Sequence, residues 1–484
     1  MNITDLNPKE VWKFFHQVTQ VPRPSKREEK IVQYLENFAK EHNLQYKKDE
    51  VGNIVMLKPA TKGYESSPTV ILQSHVDMVC EKNREKIHDF DNDPIKTIID
   101  GEWLHADGTT LGADNGIGVA AELAILASNN VEHGPIECLF TIDEETGLSG
   151  AKALEKGFLT GSILLNLDSE DEGEIFVGCA GGKDTAALFS FDAKDTTDNL
   201  MYFRIEIQGL RGGHSGCDIH LGLGNANKIL ARFLYLLKQK HDFTLCSING
   251  GNLRNAIARE ANAVIGLPSA AKEDLRILLN NFAADVEFAL KHGDKNVRLT
   301  LETVERPTKA IDDTTATKLI YALIACPHGV IGMSHDLEGL VETSTNLASV
   351  KTFEDNTILV GTSQRSSVES CKIAIADQVA ATFKLAGATV SHGDGYPGWT
   401  PNTNSQILKV AQEAYARLFN GKTPAIKAIH AGLECGLFLE KYPYLDMISF
   451  GPTLREVHSP GEKIKIDTVE LWWRHLLEIL KSIK

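Results

Sequence analysis

Ile31, Leu35 and Phe38 recur at helical spacing behind Ser25-Lys26-Arg27-Glu28, which predicts a helix opened by a capping box. A helix before it is expected to use Asn7 as its cap, with Pro8 at the first position and Glu10 three residues after the cap. The pattern then changes to short β-rich runs at 52–57 and 69–73. The second is nearly all apolar, as a strand buried on both faces would be. A helix over 117–127 follows a glycine-rich turn, and buried-type strands follow at 136–141 and 162–167. Strands alternating with helices predict an α/β layer. After about residue 185 the texture shifts. Residues 203–208 alternate apolar and polar, 223–238 reads as an amphipathic helix, and further helices are expected near 272–291, 313–325 and 368–385. Gly393-Asp394-Gly395-Tyr396-Pro397-Gly398 reads as a linker, after which a helix near 405–418 and a strand near 445–450 resume the first texture. The economical reading is one α/β domain in two pieces, 1–185 and 393–484, interrupted by a second domain over 186–392.

Composition narrows the function classes. The chain has 484 residues and a formal charge of −15, with 42% hydrophobic and 24% charged residues. That is ordinary for a soluble globular protein, and too long for one core. The negative charge repels phosphate backbones and no basic stripe offsets it, so nucleic acid is excluded as a partner. No run approaches 18 apolar residues, which argues against a membrane span. Met1-Asn2-Ile3-Thr4-Asp5 has neither the basic start nor the apolar run of a signal peptide. Eight dispersed cysteines without a C-x-x-C read as reduced thiols, and the cytoplasm is the expected compartment.

Candidate chemistry gathers just after the apolar strands, where open α/β sheets bind ligands. His75 and Asp77 follow 69–73, and Asp143-Glu144-Glu145 follows 136–141. Asp168 follows 162–167, and His458 lies beyond 445–450. Asp114 sits in Gly112-Ala113-Asp114-Asn115-Gly116 at a helix start. Each feature alone has a bland explanation: a surface histidine beside an acid, a solvated Glu-Glu pair, an Asp-Asn-Gly turn. Five placements at one sheet edge are poorly explained by chance. Imidazole with carboxylate is a donor set for Zn²⁺ or a similar divalent ion.

The segments Ser74-His75-Val76-Asp77-Met78-Val79, Gly112-Ala113-Asp114-Asn115-Gly116, Thr141-Ile142-Asp143-Glu144-Glu145-Thr146-Gly147, Leu167-Asp168-Ser169-Glu170 and His458-Ser459-Pro460-Gly461-Glu462 resemble, in order, the two-metal M20 peptidases. Within them the chain looks most like the Xaa-His dipeptidase branch. The resemblance implies a two-metal aminopeptidase-like α/β catalytic domain with an inserted α+β lid domain. One metal would be held by His75, Asp114 and Asp168 and the other by Asp114, Glu145 and His458, with Asp114 bridging. Asp77 would orient His75, and Glu144 would be the general base. Zn²⁺ is the first candidate, with Mn²⁺ or Co²⁺ also suited. A cis Asp114–Asn115 peptide is implied too. The implied reaction is hydrolysis of unblocked dipeptides, Xaa-His and β-alanyl-histidine among them, by a metal-bridged hydroxide.

The inserted domain carries a second set. Gly212-Gly213-His214-Ser215-Gly216 resembles the lid motif whose His214 would donate to the oxyanion, often across a homodimer formed through the lid domain; a buried turn histidine is the alternative. Asn255 resembles the family's substrate-binding asparagine. Arg365 resembles the arginine that clamps the substrate carboxylate, and a strand-end salt bridge is its alternative. His430-Ala431-Gly432-Leu433-Glu434 looks like the substrate-lining turn. Gly432 would line the substrate, and Glu434 would bind its amino group or serve structure alone. The rival functions are a tripeptidase or acyl-amino-acid deacylase of the same family, or a non-catalytic metal- or peptide-binding relative. Serine-hydrolase and P-loop motifs are incomplete, and H-E-x-x-H is absent.

Overall fold

The computed structural model describes residues 2–484. Its contacts separate into two compact units. The first comprises Met1–Gly178, Trp399–Ala428 and Leu433–Lys484; the second comprises Cys179–Gly398 and Ile429–Gly432.

The first unit is built on an eight-stranded sheet. In chain order its strands are β1 (Gln45–Lys48), β2 (Ile54–Lys58), β3 (Val70–His75), β4 (Ile136–Thr141), β5 (Ile163–Asn166), β6 (Glu174–Cys179), β7 (Ala425–Ile429) and β8 (Asp446–Ser449). Their order across the sheet is β1-β2-β4-β3-β5-β8-β6-β7. The central strands β4, β3, β5 and β8 run parallel. Their carboxyl ends therefore share one edge, where Thr141, His75, Asn166 and Ser449 are the last strand residues. Strands β3 and β4 are buried along their whole length. Helices α1 (Lys9–Thr19), α2 (Glu29–Glu41), α3 (Ala113–Ala127), α4 (Gln406–Leu418) and α5 (Ile466–Ser482) belong to this unit. A smaller four-stranded sheet joins Thr97–Asp100 and Trp103–Ala106 to the hairpin Leu454–Arg455 and Lys463–Lys465, whose loop carries His458.

The second unit is a nine-stranded antiparallel sheet with helices Ala226–Lys238, Lys272–Leu290, Asp313–Ala325 and Glu369–Leu385 sharing its core. Phe233 and Phe282 pack at 5.5 Å, and Phe189 and Phe383 at 6.2 Å, within that core. Among the described residues no helix is long and apolar enough to cross a membrane, and Cys80, Cys138, Cys246, Cys326 and Cys371 are free thiols.

Three local expectations are corrected. Asn7 does not cap α1: Pro8 precedes Lys9, and the Asn7 carbonyl instead accepts from the Trp12 indole at 2.9 Å. Ser25 and Glu28 form no capping box. Ser25 donates to Asp77 at 2.8 Å, while Glu28 accepts from the amides of Lys26 and Asp143. Ser25 is turned toward the buried Asp77 carboxylate, a charged acceptor for its hydroxyl proton, and its oxygen does not take a helix amide. Nor is 393–398 a loose linker, because the Tyr396 carbonyl accepts from Lys372 Nζ at 2.6 Å and Tyr396 pairs with Gly182.

Candidate active site

Two histidines and three carboxylates converge at the carboxyl edge of the first unit's sheet. His75 ends β3. Its Nε2 lies 3.1 Å from Asp114 Oδ1 and 3.5 Å from Asp168 Oδ1. His458 Nε2 lies 3.2 Å from Asp114 Oδ2 and 3.0 Å from Glu145 Oε2. Each oxygen of Asp114 thus faces the Nε2 of a different imidazole, and each of those nitrogens has one further carboxylate beside it. Donor atoms of His75, Asp114 and Glu145 lie within 4.8 Å of one another, close enough to hold one ion.

The backbone sets these positions. Asp114 stands in the first turn of α3 with extended, non-helical dihedrals, and its bond to Asn115 is cis. Asn115 donates to the Leu167 carbonyl at 2.8 Å, which ties the start of α3 to the segment leading into Asp168. Asp77, fully buried, lies 3.3 Å from His75 Nδ1 and accepts from the amides of Glu144 and Glu145 at 3.0 and 3.3 Å. One carboxylate therefore fixes the His75 ring, and with it the Nε2 face left for a ligand, as well as the Glu-Glu turn. Asp143 begins that turn in the left-handed region at φ 49° and accepts from the Thr146 and Ser149 hydroxyls.

The electrostatics are those of a cation site. Burial disfavours a charged His75, yet the Asp168 charge and hydrogen bonds to Asp114, Asp168 and Asp77 hold its pKa well above the ordinary value. Hydrogen bonds to Asp114 and Glu145 raise His458 to about 11. Burial, with the charges of Asp168, Glu145 and Glu434, pushes Glu144 well above the usual carboxylate range. Such crowding of acids is relieved by positive charge. Glu145 Oε1 is buried with no hydrogen-bond partner, an unfilled acceptor where a ligand bond would serve. The donor set fits a pair of divalent ions.

Two residues outside the expected set brace this arrangement. Arg23, 2% exposed, donates to the carbonyls of Val76, Asp77 and Gly112. A Cβ at Gly112 or Gly116 would collide with its guanidinium, so both glycines make room for it. Glu462 accepts from the amides of Leu111, Gly112 and Ala113 at 2.7, 2.9 and 2.7 Å. Glu462 was visible in its motif without a role. Arg23 gave no sequence signal, because its partners are backbone atoms.

His214, Asn255, Arg365 and Gly432 lie on the second unit and form a neighbourhood there. The Asn255 carbonyl accepts from the Ser215 amide at 2.8 Å. His214 Nδ1 accepts from the amides of Gly216 and Cys217, leaving Nε2 as its hydrogen-bearing nitrogen. Burial, with the Arg365 charge, lowers His214 to about 4, so the ring is neutral. Arg365 donates to the Tyr396 hydroxyl at 2.9 Å while its buried Nε has no hydrogen-bond partner. Gly432 lies against the Tyr396 ring. Glu434 belongs to the first unit and is fully buried. Its Oε2 accepts from Gln73 at 2.6 Å and Thr141 at 2.8 Å, and its Oε1 has no hydrogen-bond partner.

The family model described as Peptidase family M20/M25/M40 matches residues 71–482. The chain belongs to this family. Over 481 residues this M20 chain is 44% identical to the cytosol non-specific dipeptidase of Escherichia coli, covering 99% of each sequence. The crystal structure of aminoacylhistidine dipeptidase from Vibrio alginolyticus matches with a TM-score of 0.91 at 44% identity, covering 100% of this chain and 98% of that one. The aminopeptidase PepT of Bacillus cereus shares the M20 fold at a TM-score of 0.58 and 17% identity, with 99% of each chain covered.

Proposed function

We propose that this chain is a metal-dependent dipeptidase that hydrolyses unblocked dipeptides, Xaa-His and β-alanyl-histidine among them. The division of the two Asp114 oxygens between His75 and His458 carries this reading, because it matches a carboxylate bridging two ions. The relatives named for dipeptidase activity at 44% identity support it. His75, Asp114 and Asp168 would hold one ion, and Asp114, Glu145 and His458 the other. Zn²⁺ suits these ligands, as do Mn²⁺ and Co²⁺. When bound, such ions polarise the scissile carbonyl and acidify water.

The remaining work falls to side chains. Glu144 takes the proton of the attacking water and returns it to the leaving amine. Its amide is held by Asp77, which keeps it in register with His75. His214, neutral and carrying its proton on Nε2, donates to the carbonyl oxygen as negative charge develops there. Arg365 offers its unpartnered Nε to the substrate carboxylate, and Asn255 and Gly432 complete the substrate contacts. A homodimer through the second unit is part of the proposal. The strand Gly329–Met333, paired with Val341–Thr352 and exposing Val330, Ile331 and Met333, supports it. The cytosolic relative supports a cytoplasmic setting.

The test is hydrolysis by chelator-stripped protein before and after Zn²⁺ or Mn²⁺ is restored. The panel is β-alanyl-His, Leu-His, Leu-Gly, a tripeptide and an N-acetyl amino acid. Metal-restored cleavage of the unblocked dipeptides alone is the expected result. Cleavage of only the tripeptide or the acetylated substrate would move the chain to another branch. No cleavage with two ions bound would leave a binding protein.

A further inference from the structure

Gln73, Asn166 and Ser449 stand opposite one another in the register of β3, β5 and β8. Their strand neighbours Ile71, Leu72, Leu164, Leu165, Met447 and Ile448 are buried and apolar, as expected for the interior of a parallel sheet. The three polar side chains are just as fully buried. Placing them there costs free energy unless every polar atom is matched. Gln73 and Asn166 each lie two residues before a proposed metal ligand, His75 and Asp168.

The matching runs in one direction. Ser169 and Ser449 share a hydrogen bond at 2.6 Å. The Ser449 hydroxyl gives its own proton to Asn166 Oδ1, so Ser169 is the donor of that pair. Asn166 Nδ2 donates to Gln73 Oε1 at 2.5 Å. Gln73 Nε2 donates to Glu434 Oε2 at 2.6 Å, and the Thr141 hydroxyl joins at the same oxygen. The Glu434 carboxyl, fully buried, terminates the series as its final acceptor. Asn166 Oδ1 also accepts from the Asp168 amide at 3.3 Å, so the row reaches a ligand's own backbone.

We propose that this buried row, Ser169–Ser449–Asn166–Gln73–Glu434 with Thr141, positions the ends of β3 and β5 so that His75 and Asp168 meet one metal ion. The inference rests on the two-metal reading above. Its members are positioning residues, acting through strand ends and the Asp168 amide. The carboxyl at the end of the row gives Glu434 a task beneath the ligands in place of substrate binding.

The polarity supplies the test. Gln73→Glu keeps an acceptor for Asn166 but sets two carboxyls face to face at Glu434. Gln73→Glu combined with Glu434→Gln reverses that junction and restores a donor opposite an acceptor. Zn²⁺ affinity and stoichiometry are read by competition with a chromophoric chelator, alongside kcat and KM on a dipeptide. The single variant is expected to weaken one of the two ions by about 10–100-fold, the usual consequence of losing an outer hydrogen-bond partner of a ligand. The double variant is expected to recover that affinity and kcat. Should the single variant not fold, Thr141→Val and Thr141→Ser give a second comparison, in which only the valine variant weakens the ion. A wild type holding two ions, with unchanged affinity in Gln73→Glu or no recovery in the double variant, overturns the inference alone. So does equal behaviour of the two Thr141 variants. A wild type that binds no metal overturns the site reading and this inference with it.

Discussion

Glu462 accepts a hydrogen bond from the backbone amide of Asp114, a residue 348 positions earlier in the chain. It is the fourth of four consecutive amides held by one buried carboxylate, so the loop carrying His458 and the loop carrying Asp114 are fastened together. Glu462→Ala is expected to cost about 3 kcal/mol, the upper range for withdrawing a charged acceptor from buried amides. Urea unfolding of metal-free protein measures it. A loss within experimental error would show that solvent or a rearranged loop satisfies those amides.

Glu144→Gln keeps the shape of the proposed base and removes its proton affinity. Two ions should still bind, while kcat falls by about 10²–10⁴-fold, the usual contribution of a positioned general base. Full turnover in this variant would remove Glu144 from the reaction.

Asp114→Ala is expected to empty both metal positions, since each histidine faces one of its oxygens. Equilibrium dialysis with Zn²⁺ decides the point. Two ions bound as tightly as in the wild type would rule out a shared ligand.

Glu122 predicts a pH effect away from the reaction. It is fully buried in α3, accepts from Ser74 at 2.6 Å through Oε1, and has no partner at Oε2. Burial raises its pKa well above 4.5. Above pH 4.5 the unfolded chain releases this proton while the folded chain retains it. Glu122 therefore reduces stability by about 1.4 kcal/mol per pH unit until its folded pKa is reached. Glu122→Gln should gain on the wild type between pH 5 and pH 7, with no growing difference below pH 4. Denaturant midpoints at pH 4, 5.5 and 7 read this out, and parallel curves for the two proteins would contradict it.

Much of the fold was readable because its strands are buried on both faces and its helices are punctuated. The apolar run 136–141 is β4 residue for residue, and 313–325 is a helix capped by Asp312. The candidate ligands were readable because they follow such strands, and His75, Asp114, Glu145, Asp168 and His458 do meet in space. What escaped depends on partners distant in sequence. Ser25 looks like a cap until Asp77 is placed beside it. Tyr396 sits in a linker-like stretch, yet Lys372 and Arg365 bind it. Gln73 and Asn166 look like incidental polar residues at strand ends. Only the register of β3 against β5 shows that they face each other.

That register also orders events in time. β8 lies between β5 and β6 in the sheet although more than two hundred residues separate it from either. A chain still emerging from the ribosome can lay down β3, β4 and β5, but it has a gap where the fourth parallel strand belongs and lacks His458. The proposed metal centre is therefore completed only when the C-terminal segment is in place. On the proposed ligand set, a chain clipped before His458 would lack a ligand of the second ion, and that position would form only after the last strand of the sheet is in place.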